Sequence, residues 1–256
     1  MRVTVCEMPD DRSEFEGWWE RLGAHARREA SGLVLLPEMP FARWIFAEPR
    51  FNRDVWDGSV EEHARWMGRL PELGAALAAG SRPVEAGGRR FNEGFVWNSE
   101  GGAAGHHRKR YLPDQPGFYE ASWYSRGGRK VSTFEIRGWR AGFLICSDLW
   151  SVWNARGYGK EGADMILVPR ATGLSVDKWL AGGRAAAVVS GAYCLSSNRR
   201  GGQGEAKFGG GGWAVDPDGA VLGSTSRDEP FVTVEVVREK AREAKGTYPR
   251  DSFGSD

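Results

Sequence analysis

The chain has 256 residues, enough to bury a sizeable core as one domain or two small ones, and its 27% charged and 41% hydrophobic residues are ordinary for a soluble globular protein. A formal net charge of +1 gives no electrostatic case for a nucleic-acid partner or an anionic membrane surface. No apolar run approaches the length of a membrane span, and the opening MRVTVCEMP lacks the apolar segment of a signal peptide, so a cytoplasmic location is expected. The three cysteines (Cys6, Cys146 and Cys194) are odd in number and widely spaced, which fits neither a disulfide framework nor a zinc pattern.

Residues 2–6 alternate and predict a first strand. Ser13, with Glu16 three residues later, has capping-box spacing and predicts a helix to about Ala30, which Gly32 ends. Leu33 to Leu36 predicts a second strand, closed by Pro37-Glu38. An irregular aromatic segment follows to Gly58. Ser59 with Glu62 then predicts a long helix to about Ala79, with a kink at Pro71. Strands are expected over 82–86, 90–97 and 106–112, with a glycine-rich turn over 98–105 and a Pro/Gly loop over 113–117. Residues 131–136 and 140–145 read as a hairpin around Arg137-Gly138. A helix over 152–162, a buried strand over 165–168, a helix over 176–190 and a strand over 192–196 come next. Strands over 213–216 and 220–222 flank the turn Pro217-Asp218-Gly219. The last strand covers 231–236, before a short charged helix and a polar tail from about 245. Alternating strands and helices with internal hairpins predict a layered α/β fold whose sheets are covered by helices, and no domain boundary is visible.

Reactive residues fall at strand ends. Cys146 closes the apolar run of GFLICSDLW, where Ser147 and Asp148 favour a helix start. Outward-pointing backbone N–H groups there stabilise a thiolate or oxyanion, and the competing reading is an inert buried cysteine. Glu38 ends the second strand, and Lys109 lies in the returning strand with its side chain inward by alternation. A papain-like scheme needs a histidine. His25 and His63 read as surface residues of helices, and His106 and His107 lie near Lys109 without a legible triad spacing. Thiol, carboxylate and cation are supplied instead by Cys146, Glu38 and Lys109. The run GGGG at 209–212 is no phosphate loop, since no Gly-Lys-Ser/Thr follows, and suits close backbone packing before Trp213.

Taken together, LVLLPEMPF, RRFNEGFVWNSEGGAAGHHRKRYLP and GFLICSDLW, followed by GADMILVPRATG, SSNRRG and FGGGGWAVDPDGAVLG, resemble the nitrilase superfamily of carbon–nitrogen hydrolases in order and over nearly the whole chain. PDQPGFYEASWYSRGG is similar to a loop of its N-carbamoylputrescine amidohydrolases, and the amidase branches are the nearest. The resemblance implies a four-layer α-β-β-α sandwich formed by one domain over 1–256, without cofactor or metal. It implies a cysteine-dependent hydrolysis of an amide or carbamoyl-amine C–N bond through a thioester, in a homodimer. Glu38, Lys109, Cys146 and Glu120 match the catalytic positions, and the Ser147 backbone the oxyanion site. Ser147 stands where tyrosine, tryptophan or asparagine is familiar, which leaves the pocket shape open. Arg170, Trp150, Tyr119 and Trp44 are candidate substrate contacts. Arg170 reads equally as an anion anchor or as a solvent-facing side chain. Nitrile hydrolysis, acyl transfer to an amine and non-catalytic binding are the alternatives.

Overall fold

A computed structural model describes residues 1–253; the last three residues of the expected polar tail lie outside them. The strands are β1 (Arg2–Pro9), β2 (Leu33–Leu35), β3 (Leu77–Ala86), β4 (Arg89–Asn98), β5 (Gly102–Arg108), β6 (Phe134–Ile136), β7 (Trp139–Phe143), β8 (Met165–Arg170), β9 (Tyr193–Gln203), β10 (Ala206–Gly209), β11 (Trp213–Val215), β12 (Val221–Ser224) and β13 (Phe231–Glu235). The helices are α1 (Arg12–Arg28), α2 (Arg53–Met67), α3 (Glu120–Trp123), α4 (Val152–Lys160), α5 (Val176–Ser190) and α6 (Arg238–Ala244). None of them is long and apolar enough to cross a membrane.

Two sheets share one strand. The first half of β1 lies between β2 (parallel) and β13 (antiparallel), and β3, β4 and β5 continue outward from β2. The last three residues of β1, Glu7 to Pro9, leave that sheet and pair parallel with β9, which opens the second sheet, β9-β8-β7-β6. Side-chain alternation turns this topology into layers. Val3, Val5, Leu33, Leu35, Leu77 and Ala79 meet Phe143, Met165, Leu167 and Leu195 between the sheets. The intervening residues Cys6, Val34, Leu36 and Ala78 face α1 and its neighbours, through Phe15, Trp19 and Leu22. On the far side Ile166, Val168 and Cys194 face α4 and α5, through Ala155, Tyr158, Ala186 and Ala187. The order is therefore helix, sheet, sheet, helix. Gly94 lets the sheets close: a Cβ there would sit 2.9 Å from the Phe143 ring.

Several boundaries differ from the sequence reading. Asp11, not Ser13, caps α1, its carboxylate accepting the Ser13 N–H at 2.9 Å. The helix expected over 59–79 instead begins at Arg53, where Asn52 accepts from the Val55 N–H, and ends at Met67. Pro71 stands near the start of a separate 3-10 turn, Leu70–Leu73, which Gly74 closes at φ +72. Ala78 and Ala79, helix formers by propensity, become β3 because that strand fills the place beside β2. The glycine-rich turn shortens to residues 99–101, and Gly102 to Gly105 belong to β5. His63 is buried (2% exposed), its Nδ1 2.7 Å from the Ser59 carbonyl oxygen. Gly210 and Gly211 adopt φ of +63 and +69, and Gly211 donates its N–H to Glu7 at 2.9 Å, which fits the close packing expected of the glycine run.

Candidate active site

Four sequence-nominated side chains converge at the strand ends. Glu38 follows β2, and its segment is bound from three sides. The Glu38 N–H donates to the Arg170 carbonyl at 3.2 Å, the Met39 N–H to Ser81 Oγ at 3.1 Å, and the buried Arg199 to the carbonyls of Met39 and, at 2.8 Å, Ala42. Lys109 follows β5 directly. A register shift against Gly94 and Phe95 leaves His106 as an extra residue, and such bulges re-aim the chain that follows. The Lys109 N–H returns to the Asn92 carbonyl at 2.8 Å. Glu120 opens α3, and Cys146 opens a 3-10 turn, Cys146–Trp150, after β7.

The charged atoms are close and dry. Lys109 Nζ lies 2.7 Å from Glu38 Oε1 and 2.7 Å from both carboxylate oxygens of Glu120. Lys109 and Glu38 are fully buried, and Glu120 nearly so. Asn92 Nδ2 donates a second bond to Glu38 Oε1 at 2.7 Å. Glu38 Oε2, also buried, has no partner among the described residues. Burial alone would push Lys109 down, but Glu120 and Glu38 outweigh it and hold the ammonium charged. Glu120 is pushed up to about 8, first by burial and then by Glu38, against the pull of Lys109. One cation faces two carboxylates, which leaves Glu120 raised although Lys109 touches both of its oxygens.

Cys146 has φ +49, an uncommon conformation for a residue with a Cβ and one that concentrates at functional turns. Its thiol is 3.9 Å from the Ala171 carbonyl oxygen. Burial first, then the neighbouring Glu38 charge, raises the thiol well above its ordinary value, and Lys109 only partly opposes them. The resting sulfur is therefore a thiol that needs a base. Ser147 is the second residue of the 3-10 turn, where the backbone N–H has no carbonyl behind it within the turn. Its hydroxyl donates to the Tyr111 carbonyl.

Cys146, Ser147 and Glu120 border a cavity of about 390 Å³, walled by Phe118, Trp150, Trp179 and Leu174 and edged by Lys178. Trp150 thus stands where the sequence reading put it. The other three substrate candidates do not reach this cavity. Arg170 is fully buried, donating to Ser196 Oγ at 2.6 Å, Thr172 Oγ1 at 3.0 Å and the Gly211 carbonyl at 2.5 Å. It shares its parity on β8 with Ile166 and Val168 and faces the helix layer, over Trp213. It is not solvent-facing and lies outside the cavity lining, and burial lowers its guanidinium to about 10. Trp44 packs on Phe46 and Phe208, with its indole N–H on the Gly117 carbonyl at 2.9 Å. Tyr119 is half-buried, outside the cavity lining, and its N–H donates to the Phe46 carbonyl.

Two supporting residues were missed in the sequence. Asn92 had a signal: an amide side chain in mid-strand is a poor strand former and calls for a reason. Asp148 ties the cysteine turn to the lysine segment. Its carboxylate accepts the N–H groups of Arg110 (3.1 Å) and Tyr111 (2.9 Å) and faces His107 Nε2 at 2.9 Å. The ring of His106 stacks on Phe134 instead. Among the described residues no group of three or more His, Cys, Asp or Glu side chains is arranged to hold a metal.

The family model for carbon-nitrogen hydrolases matches residues 2–246, and the chain belongs to that family, within the nitrilase superfamily. An N-carbamoylputrescine amidase from Solanum lycopersicum is 26% identical over 179 residues, 67% of this chain and 59% of the relative. The match therefore spans less than two thirds of that plant enzyme's length. The 2-oxoglutaramate amidase of Bacillus subtilis is 24% identical over 220 residues, 85% of this chain and 82% of the relative. The crystal structure of a carbon-nitrogen hydrolase from Helicobacter pylori superposes with a TM-score of 0.85 at 22% identity, covering 98% of this chain and 94% of that one. A variant of the amidase from Nesterenkonia sp. superposes with a TM-score of 0.77 at 20% identity, covering 99% and 95%. In that structure the acetamide moiety of fluoroacetamide is covalently added at the active site cysteine.

Proposed function

We propose that this protein hydrolyses the C–N bond of a small amide or carbamoyl-amine through a thioester on Cys146. The observation that carries the reading is the division of labour on Glu38. One oxygen is tied to Lys109 and Asn92, and the other is buried and unpartnered, near enough to Cys146 for the Glu38 charge to help raise that thiol. Glu38 Oε2 takes the thiol proton as Sγ bonds to the carbonyl carbon, and the π pair moves onto the carbonyl oxygen. The Ser147 N–H and the Lys109 charge stabilise that oxyanion, each such donor contributing about 3 kcal/mol. In the resting site the three hydrogens of Lys109 face three carboxylate oxygens. Lys109 therefore acts through its charge, and a direct bond to the oxyanion requires release of one Glu120 oxygen. Collapse breaks the C–N bond, and the amine leaves with the proton from Glu38. Water, deprotonated by the same carboxylate, attacks the thioester carbon, and the departing sulfur takes the proton back. Glu120 positions Lys109.

The test is intact-protein mass spectrometry after exposure to a panel of amides, carbamoyl-amines and nitriles, with ammonia release in parallel. An acyl adduct confined to Cys146, and turnover lost by at least about a thousandfold in Cys146→Ala, is expected. Undiminished hydrolysis by that variant sinks the reading, and consumption of nitriles alone replaces it with nitrile hydrolysis. Assembly as a homodimer through helices is part of the same proposal, supported by exposed Val152 and Trp153 on α4 (Trp153 is 65% exposed). A monomeric mass in light scattering removes it.

A further inference from the structure

One carboxylate joins the segment that carries the nucleophile to the segment that carries the cation. Asp148 Oδ1 accepts the N–H groups of Arg110 and Tyr111, at 3.1 and 2.9 Å, directly after Lys109 in the chain. The Ser147 hydroxyl, one residue ahead of Asp148, donates to the Tyr111 carbonyl. The turn that presents the Ser147 N–H is thus stitched to the lysine segment on both sides of one peptide bond. Asp148 Oδ2 faces His107 Nε2 at 2.9 Å. The aspartate side chain is 1% exposed and the histidine side chain 12%. His107 lies on β5, opposite Gly94 and two residues before Lys109. It is outside the cavity lining.

We propose that His107 is a positioning residue for the oxyanion site: it holds Asp148, and through it the Ser147 N–H, in register with Lys109. This rests on the thioester reading above and adds what aims its oxyanion donor. Asp148 spends Oδ1 on two backbone donors, so Oδ2 is an acceptor and His107 Nε2 carries the hydrogen. A carboxylate turns about a broad two-fold torsion and is held most firmly when both oxygens have partners. With Oδ2 released in a buried place, the group turns toward another donor and loosens its grip on Arg110 and Tyr111. The Ser147–Asp148 peptide moves with it, and a donor that no longer points at the developing oxyanion loses most of its effect. Glu38 is held by other contacts, through Arg170, Arg199 and Asn92. Loss of His107 therefore spares proton removal from the thiol and weakens the step in which charge builds on the carbonyl oxygen.

The test sets iodoacetamide, which alkylates sulfur without forming an oxyanion, beside whichever amide or carbamoyl-amine of the panel acylates Cys146. In His107→Phe, kcat should fall by about thirtyfold with KM within about twofold, as for a misaimed group. Alkylation of Cys146 by iodoacetamide should stay within about threefold of the wild-type rate, because it draws on the thiol and its base alone. His107→Gln, whose amide N–H can donate to Asp148, should recover kcat to within about threefold. Should His107→Phe fail to fold, His107→Ala with added imidazole probes the same bond, and imidazole should raise its kcat. Undiminished kcat in His107→Phe, no recovery in His107→Gln, or alkylation that slows in step with kcat overturns the inference and leaves the amide-hydrolase reading standing. A kcat of His107→Ala that imidazole does not raise does the same. An unshifted mass at Cys146 with every compound of the panel overturns both.

Discussion

The floor and the mouth of the cavity are built on opposite principles. At and beneath the floor, Glu120 in the lining and Glu38 and Lys109 behind it come from three separate segments, are buried, and are held by several hydrogen bonds each. At the mouth Trp150 is 39% exposed and Leu174 is 71% exposed, and Lys178 touches only an indole face. Over-determined geometry is what a preorganised reaction centre needs, because each charge must already face its target. Loosely held loop and helix-end side chains are where selectivity can change without disturbing the chemistry. The contrast predicts that floor substitutions alter stability and turnover together, whereas mouth substitutions alter only which substrate is taken.

Lys109→Met should break the floor most severely. It strands two buried carboxylates, at a cost of about 3–5 kcal/mol. The melting temperature should fall by roughly 10 °C, and turnover by at least about a hundredfold. Retained activity in that variant would remove the distinction between floor and mouth. Glu120→Gln comes next, with an expected loss of about a hundredfold in kcat and a changed pH response. Glu120 is raised in the folded protein from 4.5 to about 8. Its proton therefore contributes stability that is full below the unfolded value and is lost as the pH climbs through about 8. Over the same window Glu120 gains the charge that holds Lys109 in place, so kcat/KM should rise while stability falls. Urea midpoints and pH–rate profiles should show both limbs, and both should vanish in Glu120→Gln. Arg170→Met leaves two hydroxyls and a carbonyl without their donor, which costs about 2–3 kcal/mol. It should lower the melting temperature with KM within about twofold, so a larger rise in KM would return Arg170 to the substrate. Trp150→Ala is the mildest: KM should rise about fivefold with kcat within about twofold, as for a partly exposed ring.

Legibility follows the same divide. Glu38, Lys109 and Cys146 could be nominated because each ends a strand whose alternation is written in the sequence. Layering was legible from the alternation of strands and helices, whereas the facing of Leu33 and Leu35 against Val34 and Leu36 was not, since all four are apolar. Arg170 was misplaced although the signal was available, since it shares parity with Ile166 and Val168. Trp44 and Tyr119 had no such signal, because irregular segments carry no period from which direction can be read. Ala75 to Ala79 misled through local propensity, which tertiary pairing beside β2 overrides.

The shared strand β1 fixes when the nucleophile can become competent. The partners of β1, β9 and β13, lie nearly two hundred residues or more downstream of it. The side chains that clamp the site come equally late: Arg199 grips the segment after Glu38, and Asn198 Oδ1 accepts the Thr172 N–H at 3.0 Å. A ribosome-bound chain that has exposed Cys146 but not yet β9 therefore lacks the frame around the thiol. Synthesis order thus leaves Cys146 without that frame until β9 has emerged.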